Sequence, residues 1–162
     1  MASADDEIAA GEQALSRLDY DGAYKHFDKA TKADPANPVG YFGKAEAALG
    51  VPKAEAEEIL ALYKKAVDLD AENPQYLDAL ASFCMDLGRF NEAEETYGKA
   101  AKIDPDNASY YWSEFAVQYA HKAPVIMERF LDDKTRDMIK TKSLTYALRA
   151  LGIEKDDAKR LL

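Results

Sequence analysis

The sequence repeats one ten-residue pattern three times. The pattern is Lys-Ala-x-x-x-Asp-x-x-Asn followed by Pro or Ala, and it occupies residues 29–38, 65–74 and 99–108. It recurs after 36 residues and again after 34. Periods of this length predict one supersecondary unit per repeat, and such units stack because none can bury its own apolar face alone. We therefore expect a row of similar units rather than one closed core.

Each period contains apolar residues at helical spacing. Ala23, Phe27 and Ala30 recur as Ala93, Tyr97 and Ala100, and more loosely as Ile59, Tyr63 and Ala66. Spacings of four and three place each trio on one helix face, with a large ring between two smaller residues. A small residue lies twelve positions upstream in the outer periods, at Gly11 and Ala81. Each period is therefore predicted to be two helices that approach each other closely.

The helix boundaries are predicted from residues that favour helix starts and turns. Asn37-Pro38 and Asn73-Pro74 each offer an N-cap side chain followed by a proline suited to the first helical position. The middle period has about two extra residues in its internal turn, around Gly50 and Pro52. No stretch alternates in the manner of a strand, so the sequence predicts an all-α fold.

This pattern resembles the tetratricopeptide repeat, a 34-residue helix–turn–helix unit. Its signature is a small residue in the first helix, then Ala, an aromatic residue and Ala in the second, and a closing Pro. The matching residues are Gly11, Ala23, Phe27, Ala30 and Pro35 in the first period and Ala81, Ala93, Tyr97, Ala100 and Pro105 in the third; the middle period keeps Ala45, Tyr63 and Ala66, with Ile59 for Ala and Ala71 for Pro. The resemblance implies a right-handed α-solenoid of antiparallel helix pairs.

The resemblance covers residues 4–120 and divides them into repeats 4–37, 38–73 and 74–107, followed by the first helix of a fourth unit at 108–120. Residues 121–162 are expected to form a helical cap. Apolar residues in this tail recur at helical spacing, namely Ile126, Phe130, Leu131, Leu144, Leu148 and Leu151, with Gly152 as a helix end and 154–162 as a possible further short helix.

Charge argues against several partners. The chain has 21 basic and 30 acidic residues and a net charge of −9, which disfavours nucleic acid and anionic membranes. The charge is −12 over residues 1–119 and +3 over residues 120–162. The N-terminus lacks the pattern of a secretory signal, and no apolar run approaches the about 20 residues of a membrane span. We expect a cytoplasmic protein.

Residues suited to catalysis are few. The two histidines, His26 and His121, are far apart in sequence, and the single cysteine, Cys84, has no histidine near it. No phosphate loop, metal-binding spacing or nucleophile elbow is present. Adjacent acidic pairs such as Glu57-Glu58 point about 100° apart on a helix. We therefore expect no enzyme, no catalytic residues, no metal and no cofactor.

The repeat register predicts which residues face the concave surface of such a solenoid. They are Ile8, Glu12, Phe42, Gly43, Glu46, Gln75, Asp78, Ser82, Ser109, Trp112 and Ser113. Acidic and apolar side chains dominate this set, so the expected ligand is a partner's peptide or helix with basic and large apolar anchors. An alternative is that the aromatic residues pack against the cap and the acids are merely solvated.

One subset of the family clamps the C-terminal carboxylate of heat-shock chaperones with Lys and Asn in the first repeat, Asn in the second, and Lys and Arg in the third. The corresponding positions here are Ile8, Glu12, Gly43, Gln75 and Ala79. All five differ, and Glu12 would repel a carboxylate. We therefore expect no binding of such chaperone tails.

The function predicted from the resemblance is a non-catalytic protein–protein interaction module that acts as an adaptor, scaffold or assembly factor. An alternative is a small dedicated chaperone for a secreted or assembling partner. A more distant one is an enzyme with a site in the C-terminal region. The chain is expected to be a monomer or a weak homodimer that associates through its C-terminal end.

Overall fold

The computed structural model describes residues 2–154, and within that range the ordered elements are helices without strands. The α-helices are α1 (Ala4–Ser16), α2 (Tyr20–Ala33), α3 (Pro38–Ala48), α4 (Ala56–Leu69), α5 (Pro74–Asp86), α6 (Phe90–Ile103), α7 (Ala108–Ile126) and α8 (Asp133–Ala150). Single 3-10 turns precede α7 at Pro105–Asn107 and follow it at Glu128–Phe130. The prediction of an all-α chain of helix pairs is confirmed.

The chain divides into two compact units, one ending at Tyr76 and the other beginning at Leu77. The boundary falls within α5. In the first unit α1 packs on α2, α2 on α3, and α3 on α4. In the second unit α6 packs on α7 and α7 on α8. Among residues 2–154, no helix is long and apolar enough to cross a bilayer.

Two predicted helix starts have the expected chemistry. The Asn37 side chain accepts a hydrogen bond from the Val39 backbone N–H at 3.0 Å, and Pro38 is the first residue of α3. The Asn73 side chain accepts from the Gln75 N–H at 3.1 Å at the start of α5. In both cases the side chain satisfies an amide that has no partner within the helix, and the following proline has no amide to satisfy.

The turn inside the middle repeat is longer than the turn inside the first, and by more than the about two residues that the repeat spacing predicts. Three residues separate α1 from α2, whereas seven separate α3 from α4. The longer turn contains Gly50, where a Cβ atom would come within 2.1 Å of the Tyr20 ring. The absence of a side chain there lets the turn pass directly over the start of α2.

The core of the first unit is built around Phe27 in α2, which is 1% exposed. Its ring lies against Gly11 of α1 and Gly43 of α3, at positions where a Cβ atom would come within 2.8 Å and 2.2 Å of it. Ala23 and Ala47 complete the buried cluster. The two glycines therefore allow one large ring to fill the space between α1 and α3.

The core of the second unit is aromatic. Tyr97 of α6 and Phe115 of α7 are fully buried. The Phe115 ring stacks on Tyr119 at 5.4 Å between centroids and meets Tyr146 of α8 edge-on at 4.6 Å. Tyr146 also donates a hydrogen bond to Glu94 of α6, and Lys142 forms an ion pair with the same carboxylate. These contacts dock α8 on both α6 and α7.

The apolar stripe predicted for the tail differs from the face that packs. Ile139 and Tyr146 are the buried residues of α8, whereas Leu144 and Leu151 are more than half exposed. The helix ends as predicted, with Gly152 at a φ of 74°. The short helix predicted for 154–162 lies, apart from its first residue, outside the described residues.

Candidate functional site

In the first unit, the predicted site residues of α3 adjoin an aromatic cluster. The Phe42 ring lies 4.8 Å from the Tyr76 ring and 6.0 Å from the Tyr63 ring, centroid to centroid. The Glu46 carboxylate, one turn further along α3, accepts a hydrogen bond of 2.6 Å from the Tyr63 hydroxyl. Phe42 and Glu46 are both half-buried. The structure therefore brings one ring and one carboxylate together at a partly accessible place.

The other predicted residues of this unit have varied surroundings. Ile8 is half-buried and packs against the Phe27 cluster, while Glu12 and Gln75 are exposed. Gly43 is buried beneath the Phe27 ring. Gly43 therefore contributes to packing between α2 and α3.

In the second unit, Asp78 of α5 belongs to a polar cluster with residues of α7. The Tyr110 hydroxyl donates to Asp78 at 3.3 Å. Burial raises the pKa of Asp78 above its ordinary value, the Tyr110 hydrogen bond lowers it in part, and the charge of Glu114 raises it again. Among residues 2–154, neither Asp78 nor Glu114 has a lysine or arginine as an ion-pair partner.

Tyr97 and Gln118 complete this cluster from α6 and α7. The Gln118 amide donates to the Tyr97 hydroxyl at 3.1 Å and to the Glu114 carboxylate at 2.9 Å. Burial raises the pKa of Tyr97, and the charges of Asp78 and Glu114 raise it further. The cluster therefore concentrates negative charge beside the buried phenol of Tyr97 and the exposed phenol of Tyr110, an arrangement that favours an incoming cation.

The sequence-based site omitted Glu114 and Gln118. Tyr110, Glu114 and Gln118 follow one another at intervals of four along α7, so they share one helix face. That spacing is visible in the sequence. The missing information is the position of this face beside Asp78, because the repeat register places Ser109, Trp112 and Ser113 on the concave surface instead.

Predicted site residues on α7 contact the end of α8. The Trp112 ring lies 5.4 Å from the Tyr146 ring, and the Arg149 guanidinium lies 5.1 Å above the Trp112 ring. The Ser109 hydroxyl donates to the Ala150 carbonyl at 2.7 Å. Ser82 and Ser113 are half-buried. The tail therefore covers part of Trp112. This contact agrees with the alternative in which the aromatic residues pack against the cap.

The three residues considered for catalysis are respectively buried, hydrogen-bonded to a carboxylate and exposed on a helix. Cys84 is buried. The His26 ring nitrogen lies 2.7 Å from the Glu7 carboxylate, and this hydrogen bond lowers the pKa of Glu7. His121 is exposed on α7. Over residues 2–154, no three histidine, cysteine or acidic side chains converge in a way that could hold a metal ion.

Known proteins share both the repeat and the fold. The sequence model of the tetratricopeptide repeat matches residues 54–113. The STIP1 homolog of Dictyostelium discoideum is 34% identical over 110 residues, which are 68% of this chain and 19% of that protein. This chain therefore spans about a fifth of the length of that relative.

Two solved structures show the same helical arrangement. MamA superposes over 96% of this chain and 81% of its own, with a TM-score of 0.72 and 15% identity. The first repeat domain of Spaghetti (RPAP3), bound to the HSP90 peptide SRMEEVD, superposes over 73% of this chain and 94% of its own, with a TM-score of 0.64 and 22% identity. The three-fold repeat, the paired helices and the matched model together identify the chain as a member of the tetratricopeptide-repeat family.

Proposed function

We propose that the chain is a non-catalytic interaction module that binds a peptide or helix of another protein through basic and apolar anchors. The observation that carries this proposal is the pair Asp78 and Glu114, two half-buried carboxylates that share a cluster without a neutralising cation among residues 2–154. A lysine or arginine of a partner would relieve their repulsion and lower the pKa of Asp78.

An apolar anchor has a place beside this charge. Tyr110 is 48% exposed, and its hydroxyl already contacts Asp78. A large apolar side chain next to the partner's cation would pack on this ring, since aromatic residues and arginine are frequent anchors at protein interfaces. In the first unit, Phe42 and Glu46 offer a second pairing of a ring with a carboxylate.

The family relationship supports a protein ligand, because the Spaghetti (RPAP3) domain holds a peptide of HSP90. The peptide chemistry proposed here is different. That peptide, SRMEEVD, carries three acidic side chains, which Asp78 and Glu114 would repel. The proposed ligand is therefore basic where the peptide of that structural neighbour is acidic.

A peptide array tests this proposal. Short peptides that vary charge (lysine-rich, neutral, glutamate-rich) and apolar content (with or without Leu, Phe or Trp) are probed with the full chain, together with SRMEEVD. We expect binding at the cluster of Asp78 and Glu114 to require both lysine or arginine and at least one large apolar residue. Binding of SRMEEVD, or equal binding of neutral and basic peptides, would contradict the proposal.

Paired variants locate the site. Asp78→Asn with Glu114→Gln removes both charges and keeps the side-chain shapes, so binding of the basic peptides should weaken by about tenfold or more. Asp106→Asn with Glu95→Gln changes the net charge by the same amount at exposed positions of the same unit and should leave affinity within about twofold. Equal losses in the two double variants would assign the binding to net charge rather than to this cluster.

A further inference from the structure

A second surface of the second unit is apolar and open. A groove with a volume of about 690 Å³ runs between α7 and α8. Its floor is formed by Ala116, Ala120 and Pro124 of α7 and Ile139, Leu144 and Ala147 of α8. Val117, at its edge, is 56% exposed, and Leu144 is 51% exposed. The groove is separate from the acidic cluster, because none of Asp78, Tyr110 and Glu114 lines it.

The shape of this groove suits a helix. Ala116, Ala120 and Pro124 are spaced by four residues, so they form one ridge of small side chains along α7. Small residues let a third helix axis approach closely, within the 8–10 Å typical of packed helices. An extended peptide would leave its amides unpaired over such an apolar floor, whereas a helix satisfies its own backbone hydrogen bonds.

The charge of the groove selects among helices. Arg136 and Lys140 lie one turn apart on its α8 side, and its lining contains no acidic residue. Neither cation has an ion-pair partner within residues 2–154. Two other cations of the same unit are paired, since Lys142 contacts Glu94 and Lys122 contacts Asp86. Arg136 and Lys140 therefore place two positive charges, without an ion-pair partner in the described part of the chain, beside the apolar floor.

We infer that this groove binds an amphipathic helix of another protein, with apolar residues at i, i+3 or i+4, and i+7 on one face and Asp or Glu beside them. The apolar face covers Ala120 and Ile139, and the acidic flank pairs with Arg136 and Lys140. The inference does not depend on the proposed function, since it concerns different residues and a ligand of opposite charge.

The test uses the full chain and two synthetic peptides of about 14 residues, close to the length of an ordinary helix. Both carry Leu at helical spacing; one has Glu at the flanking positions and the other Lys. We expect the Glu peptide to bind the groove saturably, and less tightly as salt is added. The Lys peptide should bind the groove more weakly, because its charge suits the acidic cluster instead. In NMR titrations the methyl signals of Ala116, Ala120 and Ala147 should shift.

Charge reversal supplies the decisive comparison. Arg136→Glu with Lys140→Glu should weaken binding of the Glu peptide by about tenfold or more and strengthen binding of the Lys peptide. Lys25→Glu with Lys53→Glu makes the same change in net charge at exposed positions of the first unit, and it should change affinity by less than about twofold.

Four results would overturn the inference. They are equal affinity of the two peptides for the groove, as read from its methyl signals, methyl shifts confined to other parts of the chain, binding that appears after removal of residues 155–162 but not in the full chain, and a dimer that Ala120→Trp dissociates. The third result would assign the groove to the chain's own C-terminal residues, and the fourth would assign it to a second copy.

Discussion

Phe27 fills a space that exists because two neighbouring helices carry glycine beside it. Its ring is 1% exposed, so it has no room to swing into solvent when a neighbouring position grows. Gly11 fits the small residue of the repeat signature, whereas Gly43 was assigned to the binding surface from the repeat register. The structure shows that Gly43 is also a packing position, where a Cβ atom would come within 2.2 Å of the ring.

We predict that Gly43→Ala lowers the free energy of unfolding by about 1–3 kcal/mol, because overpacking outweighs the better helix propensity of alanine. Gly98→Ala is the matched control. It also lies within a helix, but its Cβ atom would lie an unstrained 3.5 Å from Trp112, so it should raise stability by up to about 1 kcal/mol. Urea unfolding followed by circular dichroism measures the free energy of unfolding of both variants. A higher value than that of the natural chain in both would contradict the packing argument.

Leu18 adopts a backbone conformation that favours glycine. Its φ is 61° in the turn between α1 and α2, and the corresponding turn between α5 and α6 has Gly88 at φ 71°. Leu18 is 70% exposed, so its side chain gains little from burial. A left-handed conformation costs a non-glycine residue about 1–2 kcal/mol.

We predict that Leu18→Gly raises the free energy of unfolding by about 0.5–1 kcal/mol, since relief of strain exceeds the extra entropy that glycine loses on folding. Leu18→Ala is the control. It keeps the strain and should lie within about 0.5 kcal/mol of the natural chain. Thermal unfolding of the three proteins compares them, and equal midpoints for the glycine and alanine variants would argue against backbone strain.

At the scale of elements, the sequence predicts helix starts better than it predicts helix faces. Asn37-Pro38 fixes the start of α3 through local chemistry, which needs no knowledge of neighbours. The buried face of α8 depends on its neighbours. Leu144 and Ile139 are equally compatible with an amphipathic helix, and it is in the packing of α8 on α7 that Ile139 becomes buried. The repeat register predicts Asp78 as a site residue, but it does not predict its neighbour Glu114.

The docking of α8 depends on Tyr146. Burial and, after it, the hydrogen bond to Glu94 raise the pKa of Tyr146 to about 12. A raised pKa means that the folded state favours the neutral phenol. The corresponding stability is present below the ordinary pKa of 10.0 and is lost as the pH rises toward 12.

We predict that Tyr146→Phe lowers stability by about 1 kcal/mol at pH 8, because Glu94 loses a hydrogen-bond donor. The difference in free energy of unfolding between the natural chain and the variant should shrink between pH 10 and about 12. The reason is that only the natural chain has this phenol to ionise. Trp112 lies against residue 146, so its fluorescence reports the unfolding. A constant difference across this pH range would exclude ionisation of Tyr146 as the cause.

At the scale of the whole molecule, the division into two compact units has a consequence for cooperativity. In repeat proteins each unit is stabilised mainly by itself and its nearest neighbours, so a local substitution need not lower the stability of the entire chain equally. The chain offers a local reporter, because its single tryptophan, Trp112, lies in the second unit. Circular dichroism, by contrast, reports the helices of both units.

We predict that Gly43→Ala, in the first unit, lowers the urea midpoint measured by circular dichroism more than the midpoint measured by Trp112 fluorescence. Phe115→Leu is the reciprocal variant. It removes a fully buried ring that contacts Tyr146 and Tyr119 in the second unit, so it should shift the fluorescence midpoint at least as much as the dichroism midpoint. Two-state unfolding requires coincident transitions for every probe. If both variants shift both probes equally, the two compact units unfold as one cooperative body.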